Sequence, residues 1–165
     1  MTPRRESPDK SKRLAVAAAL AAALAIPAEG IKLTPYYDPP GILTVCRGHT
    51  GPDVRLGQRY TLQQCDALLD TDMREAVATV ERCVPGLPEP VLAAFGDAVY
   101  NMGPTIACNT TSSTAARMLK ARDLAGACDQ LLRWTKARVG GVMVDLPGLV
   151  KRRKAAREVC IKGVR

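Results

Sequence analysis

A chain of 165 residues is long enough to bury a real core in one domain of one or two lobes. Its 24 Lys and Arg outnumber 16 Asp and Glu, and the net charge of +8 points to an anionic partner. No nucleic-acid motif accompanies that charge, and one Phe, one Trp and four Tyr are too few aromatics for a base-stacking surface, so nucleic acid is not the partner expected.

Residues 1–13 are polar and carry five basic and two acidic side chains. Thirteen uncharged residues follow, Leu14 to Ile26, mostly alanine. A basic flank before a short apolar run has the pattern of an export signal. As a helix the run spans about 20 Å, short of a hydrocarbon core of about 30 Å, so a stable transmembrane helix is not expected. Cleavage after Ala25 would fit the small-residue rule for signal peptides. It would leave only Ile26, Pro27 and Ala28 before Glu29. A plain first helix of a soluble protein is a second reading.

Glu29 and Asp38 lie nine residues apart, and Thr44 follows six residues later. Gly30 after Glu29 suggests a helix end. A carboxylate there meets the negative end of the helix dipole, which disfavours the anion. Asp38 precedes Pro39, Pro40 and Gly41 and reads as a turn residue, with the proline pair stiffening the turn. Two carboxylates and a hydroxyl in this order are the equipment of a glycosidase: an acid, a base and a group that holds water.

Residues 31–60 alternate β-type stretches such as Ile42-Leu43-Thr44-Val45 with glycines, which predicts a small antiparallel sheet. Thr61-Leu62-Gln63-Gln64 reads as a capping box. Apolar residues at helical spacing then continue to about Cys83, long enough for a helix linking two lobes. Further helices are expected over 89–102, 112–120, 122–135 and 148–161, with a Gly-containing break near 138–147. Lys151, Arg152, Arg153, Lys154 and Arg157 cluster on the last of these, either as a solvated face or facing an anionic substrate. Trp134 is expected in the core more than as a sugar platform.

The ordered run of Glu29-Gly30, Tyr37-Asp38, Gly41, Thr44 and Gly48-His49-Thr50 resembles the catalytic segment of phage-type lysozymes. Tyr100-Asn101-Met102-Gly103, Ser113-Thr114, Asp129 to Trp134 and Gly148 to Arg153 continue the likeness in order. It covers roughly residues 27–162. The chain is more similar still to the disulfide-containing endolysins of lambdoid phages, released from the membrane by signal-arrest-release. The likeness implies an α+β lysozyme-like fold: a small antiparallel-sheet lobe and a larger helical lobe joined by a long helix. It divides the chain into an N-terminal segment, 1–28, and a catalytic domain, 29–165.

The same resemblance implies hydrolysis of the β-1,4 bond between N-acetylmuramic acid and N-acetylglucosamine of bacterial peptidoglycan. Glu29 would be the general acid of an inverting mechanism, and Asp38 and Thr44 would place the water. Tyr37, Asn101 and Thr114 are candidate substrate contacts, although capping or loop roles suit Asn101 and Thr114 equally. His49 is expected to be structural, paired with Asp72. No cofactor is expected, and no zinc-type spacing suggests a metal. The resemblance also supplies a third reading of residues 14–26. A weakly apolar helix enters the inner membrane, holds the enzyme inactive and later joins the fold. The expected location is the host periplasm, tethered to the inner membrane before release, and the expected state is a monomer.

Six cysteines and an export-like N-terminus point to disulfides, with fifteen connectivities open. If the family-like His49–Asp72 contact forms, stepping back along strand and helix from it brings Cys46 beside Cys65. Cys128–Cys160 is the next choice, and Cys83–Cys108 follows by elimination. Two other functions compete. A lytic transglycosylase would rely on one Glu and not need Asp38, and a non-catalytic cationic protein would act on walls or membranes through charge and the alanine run.

Overall fold

The computed structural model describes residues 7–39 and 41–165. The basic flank before residue 7 and Pro40, half of the proline pair, lie outside the described residues. The first helix, α1, is Pro8–Ala28, capped by Ser7, whose hydroxyl accepts from Lys10 N. Its 21 residues exceed the thirteen of the apolar run, because Pro8 to Arg13 and Pro27-Ala28 are helical too. At about 1.5 Å per residue that is roughly 30 Å, so α1 is long and apolar enough to cross a membrane. The length expected from the uncharged run alone was too short. Here α1 packs into the protein, with Ala17, Ala18, Ala21 and Ala25 fully buried.

Three antiparallel strands follow: β1 (Lys32–Tyr37), β2 (Leu43–Cys46) and β3 (His49–Thr50), in the order β1-β2-β3. Tyr36 pairs with Thr44 and Tyr37 with Leu43. Pro35, which has no N–H to donate, lies where the β1–β2 register becomes irregular.

The long helix α2 (Leu62–Cys83) opens with the expected capping box: Gln64 N donates to Thr61 Oγ1 at 3.1 Å and Thr61 N to Gln64 Oε1 at 2.8 Å. One end serves the small lobe, where Cys65 packs with Val45, Cys46, Val54 and Tyr60. The other serves the large lobe through Leu69, Met73, Val77 and Val80. A single rigid element therefore belongs to both cores.

The large lobe is built on α3 (Glu89–Met102), whose residues from Val91 to Val99 are all buried. Gly96 lets α3 cross α2 closely: a Cβ there would lie 2.6 Å from Val77 Cγ2. Short helices α4 (Thr105–Cys108), α5 (Thr114–Lys120) and α6 (Leu124–Gln130) surround it, and α7 (Pro147–Lys162) packs against α3. The expected 122–135 helix is shorter: Asp123 caps it and a single 3₁₀ turn at Leu131–Arg133 ends it. The expected break near 138–147 is a hairpin of β4 (Lys136–Val139) and β5 (Val142–Asp145). Gly140 and Gly141 both take positive φ, as a two-residue hairpin turn requires. Disulfides join Cys46–Cys65, Cys83–Cys108 and Cys128–Cys160, the three pairs reasoned out above. Trp134 packs, partly buried, against the large core.

Candidate active site

Glu29 caps the C-terminus of α1; its N–H donates to Ala25 O at 2.8 Å and its backbone is already extended toward β1. Its carboxyl is not left alone at the helix end. Arg152 on α7 donates from Nη1 to Glu29 Oε1 at 2.6 Å, across 123 residues. Gly48, in the turn between β2 and β3, backs the other side. It has φ +87°, and a Cβ there would approach the Glu29 carboxyl at 3.7 Å and Tyr100 Oη at 3.5 Å. Glycine thus meets a backbone requirement, while a Cβ would make only ordinary contact with these two groups. Tyr100 is tied down in turn, its hydroxyl donating to Arg47 O at 2.6 Å. Burial first, then Asp72 and Glu29, pushes the Tyr100 phenol well above its ordinary range.

Asp38 is organised locally. Its Oδ1 accepts from Ile42 N at 2.7 Å, and its backbone N donates to Ile42 O at 3.0 Å. Thr44 Oγ1 stands 3.4 Å from Asp38 Oδ2 and 3.0 Å from Ile42 O. A hydroxyl has one proton, so the shorter contact to Ile42 O is the better hydrogen bond. Tyr36 shares a sheet face with Thr44, its cross-strand partner. Its phenol is raised by burial first, then by the charges of Glu29 and Asp38. One side chain therefore feels both carboxylates.

Asn101 and Glu29 line one hollow of about 410 Å³, together with Leu146, Gly148 and Arg152. A second hollow, about 270 Å³, is lined by Gly48, Tyr100, Thr50 and Asp72. Tyr37 is 61% exposed at the end of β1. Thr114 opens α5, where its Oγ1 accepts from Arg117 Nη2 at 2.9 Å, and it lines neither hollow. His49 Nδ1 lies 2.6 Å from Asp72 and Nε2 2.8 Å from Asp53. Burial is the largest influence on His49 and pulls it down, but the two carboxylates together raise it. Asp72 is raised too, mainly by burial.

The basic cluster of the last helix corrects the sequence reading. Lys151 and Lys154 are solvated, but Arg152 and Arg153 turn inward and are 4% and 0% exposed, with Arg152 lining the hollow beside Glu29. Arg152 binds Asp97, itself fully buried, through Nε at 3.2 and 3.1 Å and Nη2 at 2.7 Å. Burial acts most strongly on Arg152 and opposes its charge, but Asp97 and then Glu29 outweigh it and hold the proton more firmly than usual. Arg153 donates from Nε to Trp134 O at 3.1 Å and from Nη2 to Asn101 Oδ1. Its Nη1 is 3.7 Å from Asp97 Oδ2. Burial pushes Arg153 down to about 10, so it stays charged at neutral pH. Asp97 and Tyr36 were not among the sequence candidates, and Arg152 was one only as a member of the basic cluster. One signal existed: Asp97 interrupts the apolar run Val91 to Val99, and a buried carboxylate requires a partner.

A long helix joining a small sheet lobe to a helical lobe, with Glu29 where α1 meets both, is a lysozyme-type architecture. The phage lysozyme family model matches residues 27–156, and the chain belongs to that family. It is 40% identical over 136 residues to the SAR-endolysin of Enterobacteria phage P21, covering 82% of this chain and 78% of that protein. Among solved structures, the endolysin from Escherichia coli O157:H7 phage FAHEc1 superposes with a TM-score of 0.74 at 25% identity, covering 86% of this chain and 90% of that one. The muramidase domain of SpmX from Asticaccaulis excentricus gives 0.74 at 25% identity, covering 86% and 94%. Family membership supports a peptidoglycan-lytic, lysozyme-type enzyme. The SAR-endolysin relatives and the apolar α1 fit export and membrane tethering.

Proposed function

We propose that this endolysin hydrolyses the β-1,4 bond between N-acetylmuramic acid and N-acetylglucosamine in bacterial peptidoglycan, acting as a monomer. Glu29 gives its proton to the glycosidic oxygen as the bond to the anomeric carbon breaks. A water attacks that carbon from the opposite face and passes its proton to Asp38, with Thr44 helping to hold the water. The product configuration is inverted. Tyr37, Asn101 and Thr114 contact the substrate, Thr114 from outside the two hollows.

The observation that carries this reading is Tyr36, whose phenol feels Glu29 and Asp38 together and whose sheet partner is Thr44. Groups with acid and base chemistry thus act on a phenol whose strand partner carries the hydroxyl, which supports one shared region for all three. Residues 1–28 serve as the regulatory segment and 29–165 as the catalytic domain. Export carries the enzyme to the periplasm, where α1 tethers it to the inner membrane until release allows the docked arrangement described above.

Purified sacculi provide the test. Glu29→Gln should lower the rate of digestion roughly 10²–10⁴-fold with an unchanged melting curve. Digestion that survives this substitution would remove Glu29 from the mechanism.

A further inference from the structure

Asp97 lines neither hollow, yet the arginine that grips the Glu29 carboxyl is bound to it. It is a fully buried carboxylate inside an otherwise apolar stretch of α3. Leaving a charge there is unfavourable unless it is paired. Arg152 lays its guanidinium edge along Asp97 with three hydrogen bonds and points its remaining nitrogen, Nη1, at Glu29. A guanidinium is planar, so fixing one edge fixes the direction of the other. The second arginine, Arg153, spends its Nη2 on Asn101, on the same hollow as Glu29.

We propose that Asp97 is a positioning residue of the reaction: through Arg152 it aims the Glu29 carboxyl and offsets the positive charge that Glu29 feels. The proposal rests on Glu29 acting as the general acid. An arginine alone beside an acid would favour its anion, the wrong form for donating a proton. Asp97 counters that arginine from behind. The other groups facing Glu29 are Tyr36 from β1 and Tyr100 from α3, both phenols raised by it, and Arg153 from α7. Gly48 presents only backbone. Asp97 is thus the buried negative charge that faces the two arginines.

The test is the pH profile of sacculus digestion by Asp97→Asn in the full chain. Loss of the countercharge leaves Arg152 unopposed beside Glu29. The alkaline limb of the profile should move to lower pH, and the maximal rate should fall roughly 100-fold through lost aim. Asp97→Glu, which restores the charge, should return the limb toward its original position. A profile that stays in place while only thermal stability falls would make Asp97 a core anchor and overturn the proposal. If Asp97→Asn does not accumulate folded, it is combined with Arg152→Gln, which removes both charges together. That double variant should match Arg152→Gln alone within about threefold, because the two act as one unit. A further tenfold loss would show Asp97 acting without Arg152 and overturn the proposal. Glu29→Gln separates the two levels. If it retains activity the general-acid reading itself fails, whatever Asp97 does.

Discussion

Helices α1 and α7 both pack on α3, and both bury residues at the same spacing: Ala17, Ala18, Ala21 and Ala25 on one, Arg152, Arg153, Ala156 and Cys160 on the other. Both also serve Glu29. The first ends in it and the second grips it. What differs is how they are held. The fully buried α1 stripe is four methyl groups, with Leu14, Ala22 and Leu24 packed partly buried against the same core, and its polar anchor is Arg13, which reaches Leu87 O at 2.7 Å and the buried Glu81 at 2.5 Å. The α7 stripe carries two buried arginines and a disulfide to Cys128. Alanine burial stabilises modestly because each side chain removes little apolar area from water. The helix that carries the acid is thus held by apolar contact and one arginine, while the helix that grips it is held by buried ion pairs and a disulfide. A segment that passes from a membrane to a folded body needs the first kind of contact, and an acid that must be aimed needs the second.

The contrast can be broken on the α7 side first. Arg152→Ala leaves Asp97 buried without its main partner and should cost about 3–5 kcal/mol in chemical denaturation. Removing the covalent tie with Cys128→Ser and Cys160→Ser should cost about 3–4 kcal/mol, read as a lower denaturation midpoint. On the α1 side, Arg13→Ala deprives Glu81 of its cation and should cost about 2 kcal/mol. It should also raise the fraction of protein found with membranes on cell fractionation. A larger loss from Arg13→Ala than from Arg152→Ala would invert the comparison. The smallest effect belongs to the small lobe. His49 is held above its ordinary value of 6.5, so the protonated ring favours the fold. That stabilisation is complete below pH 6.5 and is lost as the pH rises through the folded-state value. Melting temperatures recorded against pH should show this fall, and His49→Gln should flatten it.

The parts of the site that were legible in the sequence are those made by neighbours in the chain. Asp38, Ile42 and Thr44 organise one another across six residues, so their order alone suggests their geometry. His49 and Asp72 were legible only through the family likeness. The grip on Glu29 was not legible, because Lys151, Arg152, Arg153, Lys154 and Arg157 are alike in composition. Which two turn inward depends on the roll of α7 against α3, set by Ala156 and Cys160 entering the core. The β4–β5 hairpin was missed for a simpler reason: Gly140-Gly141 reads as a break unless the valines around it are seen to pair. Tyr36 was passed over for Tyr37, since alternation along β1 tells which residues share a face but not which face meets the cleft.

The most direct test of the central claim is mass spectrometry of the fragments released from sacculi. Hydrolysis by Glu29 with Asp38 predicts muropeptides with free reducing N-acetylmuramic acid ends, and no such fragments from Glu29→Gln. Anhydro-muramic acid ends, or the same fragments from the Glu29→Gln protein, would contradict it.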